Sequence, residues 1–397
     1  MYLIGTKDFY YCKKSVFLLK YNILTRMKIA ILGTRGIPNY HGGFEQFASF
    51  FSEYLVNNDI EVSVYCSSTH LYKENKYKNI ELIHCYDPEH KIGTAGQFIY
   101  DLNCILDSRK RNFDVVLQLG YTSNSIWHFL LPKKSVIITN MDGLEWKRSK
   151  YSVIVRRFLK FAEKLAVKHS DYLISDSVGI KQFLEKKYNK PSEFIAYGAT
   201  VFNSPDSSVL EKYGLMPYSY DLLIARMEPE NNIETIIKGF LKKQTGRKLL
   251  IVGSHTATKF GKYLHNSYSS YDSIEFMGSL YDMTVLNNLR YYSNLYFHGH
   301  SVGGTNPSLL EAMASDCFII AHNNVFNRSI LEDDAYYFDN ENQLSDLLNI
   351  NKQDDDTQLK LTKNKNKIIG KYSWDNINAS YLDFIKKCYG EKHSQTK

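Results

Sequence analysis

From Met27 onward, short β-rich apolar runs alternate with longer amphipathic stretches. The runs at 28–33, 61–67, 80–86, 114–120, 135–141, 171–175 and 193–197 have the length and composition of buried strands. Between them, segments such as Gly43–Asn57 and Val153–His169 repeat their apolar residues at helical spacing. Continuously apolar strands separated by helices imply a parallel sheet covered on both faces. The pattern breaks in a loop rich in Asn, Ser and Pro, "VFNSPDSS", and restarts at 222–225, 248–252, 274–277, 295–297, 318–321 and 336–338. The polar stretch "NKQDDDTQLKLTKNKNK" reads as a surface helix, and "YSWDNINASYLDFIKK" after it as an amphipathic terminal helix. The expected fold class is therefore α/β, with two doubly wound Rossmann-like domains facing a central cleft. The boundary is expected between 200 and 219, giving an N-terminal domain over 27–205 and a C-terminal domain over 206–372. Such a fold places ligands at the carboxyl ends of its strands.

Composition narrows the picture. A length of 397 residues suits two domains, and 44 % hydrophobic residues suffice for two cores. The cysteines Cys12, Cys66, Cys85, Cys104, Cys317 and Cys388 are scattered, without C-x-x-C pairs or His at metal spacing. This argues for a reducing compartment and against a structural zinc. No apolar run is long enough to span a membrane. Residues 1–26 carry Lys7, Lys13, Lys14, Lys20 and Arg26 around the short run Val16 to Leu19, without the apolar centre or cleavage site of a signal peptide. They read as an upstream extension before "MKIAILGTRGIP", the first Rossmann strand and its loop.

A net charge of +7 is too modest for a nucleic-acid partner. It is concentrated between Trp146 and Lys168, where Lys147, Arg148, Lys150, Arg156, Arg157, Lys160, Lys164 and Lys168 are opposed only by Glu163. Apolar residues interleave at helical spacing. Two readings stand open: a solvated helix packed by one face, or a basic amphipathic helix resting on anionic lipid or a lipid-linked acceptor.

Three loops carry candidate chemistry. In "GTRGIPNYHGGFEQF", Gly42 and Gly43 open a helix whose N-terminus suits an anion. The spacing is not that of a dinucleotide fingerprint, and a tight turn needing glycine remains the alternative. In "LLIARMEPENNIETI", Arg226 stands at a strand end, suited to bidentate phosphate contact or equally to an ion pair with Glu228 or Glu230. In "HGHSVGGTNPSLLEAMAS", Gly303, Gly304 and Thr305 lead to Asn306, a good N-cap, and Pro307 fits the first helical position. Backbone N–H groups there form an anion nest, and Glu311, about one turn in, can accept hydrogen bonds from ribose hydroxyls. Asp142 and Glu145 of "NMDGLEWKR" follow another strand and can orient or deprotonate an acceptor hydroxyl, with a Gly143 turn cap as the alternative for Asp142. His41 and His300 are similarly placed for donor sugar or phosphate. Asp354–Asp356 sits in a polar segment far from any strand end and reads as solvated.

The motifs "GTRGIP…GGFE", "DGLEWKR", "ARMEPENN" and "HSVGGTNPSLLEAM", in this order, make residues 27–390 resemble glycosyltransferase family 4, a retaining family of GT-B fold. They resemble most its bacterial polysaccharide rhamnosyltransferase subgroup. The resemblance implies that Gly42 and Gly43 approach the donor phosphates or the acceptor, that Arg226 holds the diphosphate, that Gly303 to Asn306 bind phosphate, and that Glu311 holds the ribose. It also implies that the final helix, 373–390, crosses back to complete the first domain. Three positions depart from the family pattern. Asn231 stands where a Lys is common, and Gly303 where a Glu is common. After Gly120 come Tyr121, Thr122 and Ser123 instead of a His near the reacting sugar. Asn231 and His300 are kept in the expected donor set.

The function these signs imply is a metal-independent hexosyltransferase without a cofactor, its nucleotide sugar being a substrate. It would move a sugar, L-rhamnose from dTDP-rhamnose by the subgroup, to a lipid-linked or growing surface polysaccharide. The expected place is the cytoplasm, peripheral on the inner face of the plasma membrane. The rivals are a nucleotide-sugar epimerase or a phosphorylase on the same fold, the latter disfavoured by the lack of an evident pyridoxal lysine, and a degenerate subunit that binds a partner transferase.

Overall fold

A computed structural model describes residues 27–40, 42–148, 150–350, 352 and 354–394. The expectation for 1–26 and the one for His41 lie outside the described residues. Two sheets organise the chain. The first has eight strands: β1 (Lys28–Leu32), β2 (Glu61–Ser67), β3 (Lys76–Tyr77), β4 (Ile80–Cys85), β5 (Val115–Leu119), β6 (Val136–Asn140), β7 (Tyr172–Ser175) and β8 (Glu193–Phe194). Their order is β3-β4-β2-β1-β5-β6-β7-β8. The second has six: β9 (Tyr220–Ile224), β10 (Lys248–Val252), β11 (Ile274–Gly278), β12 (Tyr296–His298), β13 (Ile319–His322) and β14 (Tyr336–Phe338), ordered β11-β10-β9-β12-β13-β14.

Both sheets are doubly wound and Rossmann-like, and the paired registers are parallel apart from the β3–β4 hairpin. That hairpin escapes a reading by apolar pattern because β3 is exposed and only two residues long. Its turn residues Lys78 and Asn79 both take positive φ, as a two-residue hairpin of matching twist requires.

The strands are apolar because both faces are covered. Ile29, Ile31, Val115 and Val116 are fully buried in the first sheet, and Leu222, Leu223, Leu249 and Ile251 in the second. The helices bury one stripe each. In Ile233–Leu241, Ile233, Ile236, Ile237 and Phe240 face the core at helical spacing. The 351–367 stretch is polar as its sequence demands and forms the helix Asp355–Lys367. Asp356 at its start is exposed, bonded by the Tyr336 hydroxyl and near Lys360, and among the described residues it belongs to no metal-type cluster.

The chain forms two compact units. One holds the described residues up to Met141, with Phe161–Ile174 and Asn378 onward; the other holds Asp142–Lys160 and Ser175–Ile377. In the first unit the terminal helix Trp374–Ser394 supplies Tyr381, whose hydroxyl takes a hydrogen bond from Asn140 Nδ2 at 2.8 Å and whose ring packs on Phe47. Among the described residues no helix is long and apolar enough to cross a membrane.

Candidate active site

The site candidates of the second unit gather where the sheet order reverses. β9 and β12 are neighbours in space but not in sequence, so their outgoing loops diverge and leave a crevice at the carboxyl ends. Arg226 stands two residues beyond β9 and is exposed. Its carbonyl accepts two 2.7 Å hydrogen bonds, from the Glu228 N–H and from Asn231 Nδ2. Asn231 is therefore a buried brace for the backbone of residue 226. The Arg226 guanidinium makes no ion pair among the described residues, whereas Glu228 lies 3.8 Å from Lys150. Of the two sequence readings for Arg226, the surface ion pair is thus not formed.

The β12 loop is stitched to the β9 loop. Asn232 Nδ2 donates to the Gly299 carbonyl at 2.8 Å, and both the N–H and hydroxyl of Ser301 donate to the Glu230 carbonyl. Farther along, Gly303 takes φ +134°, which an L side chain resists, and a Cβ there would meet nothing within 4 Å. Gly304 is excluded from carrying a side chain for another reason: its Cβ would overlap the carboxyl group of Asp176. Thr305 closes the contact with its hydroxyl on the Asp176 carbonyl. Asn306 then caps the helix Pro307–Ala314 by accepting the Ser308 N–H at 2.9 Å, with Pro307 at the first helical position. The helix has no acidic residue in its first turn.

Glu311 lies on that helix with a partner the sequence does not announce. Arg290, fully buried on the helix Met283–Tyr291, donates from Nη2 to Glu311 Oε2 at 2.6 Å and from Nη1 to Asn287 at 3.0 Å. One carboxylate oxygen of Glu311 is thereby fixed by a charge that pairs with no other carboxylate among the described residues. Burial lowers and the Glu311 carboxylate raises the proton affinity of Arg290, with a net rise. The pair orients Glu311 and makes its removal costly.

A second group of ionisable residues surrounds the crevice from the 142–148 loop. Arg148 binds Glu145 Oε1 through Nε at 2.8 Å and Nη2 at 2.7 Å. Glu145 is thus tied down, while the carboxyl of Asp142 has no hydrogen bond to a described residue. Burial, reinforced by Glu145 and opposed by Arg148 and Arg226, pushes Asp142 up to about 7. Asp142 is the better placed of the two to exchange a proton near neutral pH. His300 behaves oppositely. Burial, then Arg226 and Arg148, push its imidazole down to about 3, so it is an uncharged group at neutral pH. Asn324 and Asn327 each donate to its carbonyl at 3.0 Å, and its ring stacks on buried His298 with centroids 4.5 Å apart.

Asp176, Arg148 and Arg290 are members of this constellation that the sequence reading did not single out as site residues. Asp176 is the residue just beyond β7, a strand-end position that offered a signal. Arg290 offered none, because "NNLRYY" looks like any half-exposed helix turn.

In the first unit, Gly42 precedes the helix Gly43–Asn57 in an extended conformation that any residue adopts, at φ −173°. Glu45 in the first turn is buried, and its Oε1 accepts the Arg35 N–H at 2.8 Å. This helix start already holds a carboxylate of its own. After Gly120, Tyr121 is buried and Ser123 donates to Asp101 at 2.5 Å. Asp101 is pushed up to about 7 by burial, an effect the Ser123 bond reduces.

Comparison with known proteins agrees with this architecture. Residues 216–368 match the model described as glycosyl transferases group 1, and residues 26–200 match a domain of unknown function, DUF1972. No curated protein matches the chain in sequence. Among solved structures, sucrose-phosphate synthase from Thermosynechococcus elongatus aligns with a TM-score of 0.73 at 14 % identity, covering 92 % of this chain and 100 % of that one. Anabaena HepE, in complex with UDP and glucose, gives 0.70 at 14 %, covering 91 % and 100 %. A glycosyltransferase from Rickettsia africae gives 0.69 at 16 %, covering 91 % and 98 %. The fold is GT-B, and residues 216–368 of its second half are similar to the group 1 glycosyl transferases.

Proposed function

We propose that this GT-B chain moves a sugar from a nucleotide-sugar donor to an acceptor hydroxyl, with the donor bound by the second unit. The observation that carries the reading is the crevice between the β9 and β12 loops. An exposed Arg226 without an ion pair among the described residues, the Gly303–Asn306 turn at a capped helix start and an oriented Glu311 all lie in the stretch similar to the group 1 glycosyl transferases. HepE, crystallised with UDP and with UDP-glucose, supports a nucleotide sugar as the ligand class.

In this reading Arg226 faces the diphosphate and stabilises the charge that grows as the sugar–phosphate bond breaks. Asn231 holds the backbone that presents it. Glu311, fixed by Arg290, accepts from the ribose hydroxyls, and His300 contributes an uncharged imidazole beside two arginines. The leaving diphosphate accepts the acceptor's proton on the face it departs from, so the sugar keeps its anomeric configuration; Asp142 orients that hydroxyl. The first unit holds the acceptor. No step calls for a metal or cofactor.

The donor we favour is dTDP-rhamnose and the acceptor a lipid-linked saccharide of a surface polysaccharide, on the resemblance to the rhamnosyltransferase subgroup. A membrane-adjacent place is supported by the helix Val153–His169, which exposes Val153, Ile154 and Phe161 beside Arg157, Lys160 and Lys164. Trp146 lies near it with the Lys160 ammonium 4.5 Å from its ring. Apolar side chains exposed among cations suit an anionic lipid surface.

A panel of UDP- and dTDP-sugars, screened by thermal shift and then for transfer, tests the function. Turnover with retained anomeric configuration by NMR is expected. Isomerised donor would favour the epimerase, and binding without turnover a non-catalytic subunit. Sedimentation with anionic vesicles should be lost on changing Arg156, Arg157 and Lys160 to Glu, and weakened by salt. Wild-type protein that ignores such vesicles leaves this helix a solvated face.

A further inference from the structure

We propose that Asp176 is the side chain that reads the donor's sugar at the Gly303–Asn306 turn. The inference rests on the donor reading above and adds to it a specificity residue from a different loop.

The turn itself brings little but backbone. Gly303 and Gly304 have no side chains, and the space a Cβ would enter at 303 is open. Where a side chain at 304 would stand, the carboxyl group of Asp176 stands instead. It is delivered from the carboxyl end of β7, two residues before the helix Val178–Tyr188, whose cap Ser177 accepts the Ile180 N–H at 3.2 Å. The Thr305 hydroxyl, bonded to the Asp176 carbonyl, fixes this loop against the turn. The placement is therefore built from both sides.

The carboxyl is also incomplete. Its Oδ1 is buried and has no hydrogen-bond partner among the described residues. An unmatched buried oxygen is costly unless a ligand completes it. Burial and the neighbouring Asp142 push the group toward its neutral form, against the pull of its own N–H and that of Thr305. A neutral carboxyl has one O–H to give and lone pairs to accept with, the pattern of a sugar hydroxyl's partner. It would also stand beside a diphosphate without repelling it, which an ionised carboxylate would not. Asp176 thus suits a hydroxylated glycosyl group next to a phosphate and adds nothing to a bare nucleoside diphosphate.

The test compares two ligand forms on wild type, Asp176→Asn and Asp176→Ala. Calorimetric Kd values are measured for UDP, UDP-glucose, dTDP and dTDP-rhamnose. Asp176→Ala is expected to bind the sugar conjugates roughly 10- to 100-fold more weakly, the loss typical of a buried hydrogen bond with a ligand, and to bind the diphosphates unchanged. Asp176→Asn, which keeps a donor and an acceptor, is expected to regain most of the loss. Should Asp176→Ala not fold, Asp176→Ser carries the same comparison. Equal weakening of diphosphate and conjugate, or no weakening of the conjugate, overturns the role of Asp176 and leaves the donor site standing. Wild-type protein that binds none of the four overturns both.

Discussion

Two glycine-rich loops, one ending at Gly42–Gly43 and one at Gly303–Gly304, lead from a parallel strand into a helix, and the fold finishes them in different ways. At the first, Glu45 lies in the opening turn of the helix, buried on the Arg35 N–H. A carboxylate there satisfies the positive helix end from within the protein. At the second, the helix cap is the neutral Asn306, the first turn holds no acid, and an arginine without an ion pair among the described residues follows the neighbouring strand. The carboxyl that does approach, Asp176, is one that burial drives toward neutrality. Anion binding at a helix start thus depends less on the glycines than on whether the protein has already supplied the negative charge.

Four experiments press on that contrast. The largest effect is expected at Glu311, because its removal leaves Arg290 as an uncompensated buried charge. Glu311→Ala should lose about 3–5 kcal/mol in urea unfolding. Glu311→Gln keeps an acceptor, should lose less stability, and should act on activity mainly through donor KM. Normal stability of Glu311→Ala would show that the pair does not anchor this helix.

Arg226→Ala comes next. Removing a stabiliser of developing charge typically costs about 2.7–4 kcal/mol, a fall of roughly 100- to 1000-fold in kcat. Stability should hardly change, since the exposed guanidinium makes no ion pair among the described residues. A variant with normal kcat and donor KM removes the β9 loop from the donor site.

The glycine pair tests the comparison directly. Gly303→Ala forces an L residue to φ +134° and should cost about 1–3 kcal/mol along with donor affinity. Gly42→Ala meets an extended backbone and open contact, so a change within about 0.5 kcal/mol is expected. Equal effects at the two sites, by unfolding and donor titration, would erase the distinction drawn between them.

The last prediction concerns pH. Asp142 is pushed up to about 7 in the folded protein, above the usual carboxylate range, so between about pH 4 and 7 the folded state holds the extra proton. Its contribution to stability is full below that window and is lost as pH rises through 7. The stability of Asp142→Asn relative to wild type in thermal unfolding should therefore rise steadily from pH 4 to pH 7 and stay level from there to pH 8. If the ionised form orients the acceptor, kcat/KM should climb about tenfold per pH unit below 7 and level off above. The limb should vanish in Asp142→Asn but persist in His300→Gln, because that imidazole is already neutral.

The sequence by itself determined the architecture. Continuous apolar runs, helical spacing of apolar residues, a loop rich in Asn, Ser and Pro, and the Asn306–Pro307 helix start are local signals, and they located both sheets and the helices Gly43–Asn57 and Val153–His169 with their bounds. They also marked Arg226, Asp142, His300 and the 303–306 turn, because strand ends can be found from the strands. What they left open is decided by partners distant in the chain. Asn231 is read as a donor contact, and only the fold shows that its amide also holds the Arg226 carbonyl. Glu145 and Asp142 look equivalent until Arg148 claims one of them. Gly304 reads as part of a phosphate-binding turn, and only the fold shows that its lack of a side chain makes room for a carboxyl from residue 176. Proton affinity and pairing depend on burial and on neighbours brought together by the parallel winding of the sheet, and no local pattern encodes those. The strand order, not the motif, decides which charges meet.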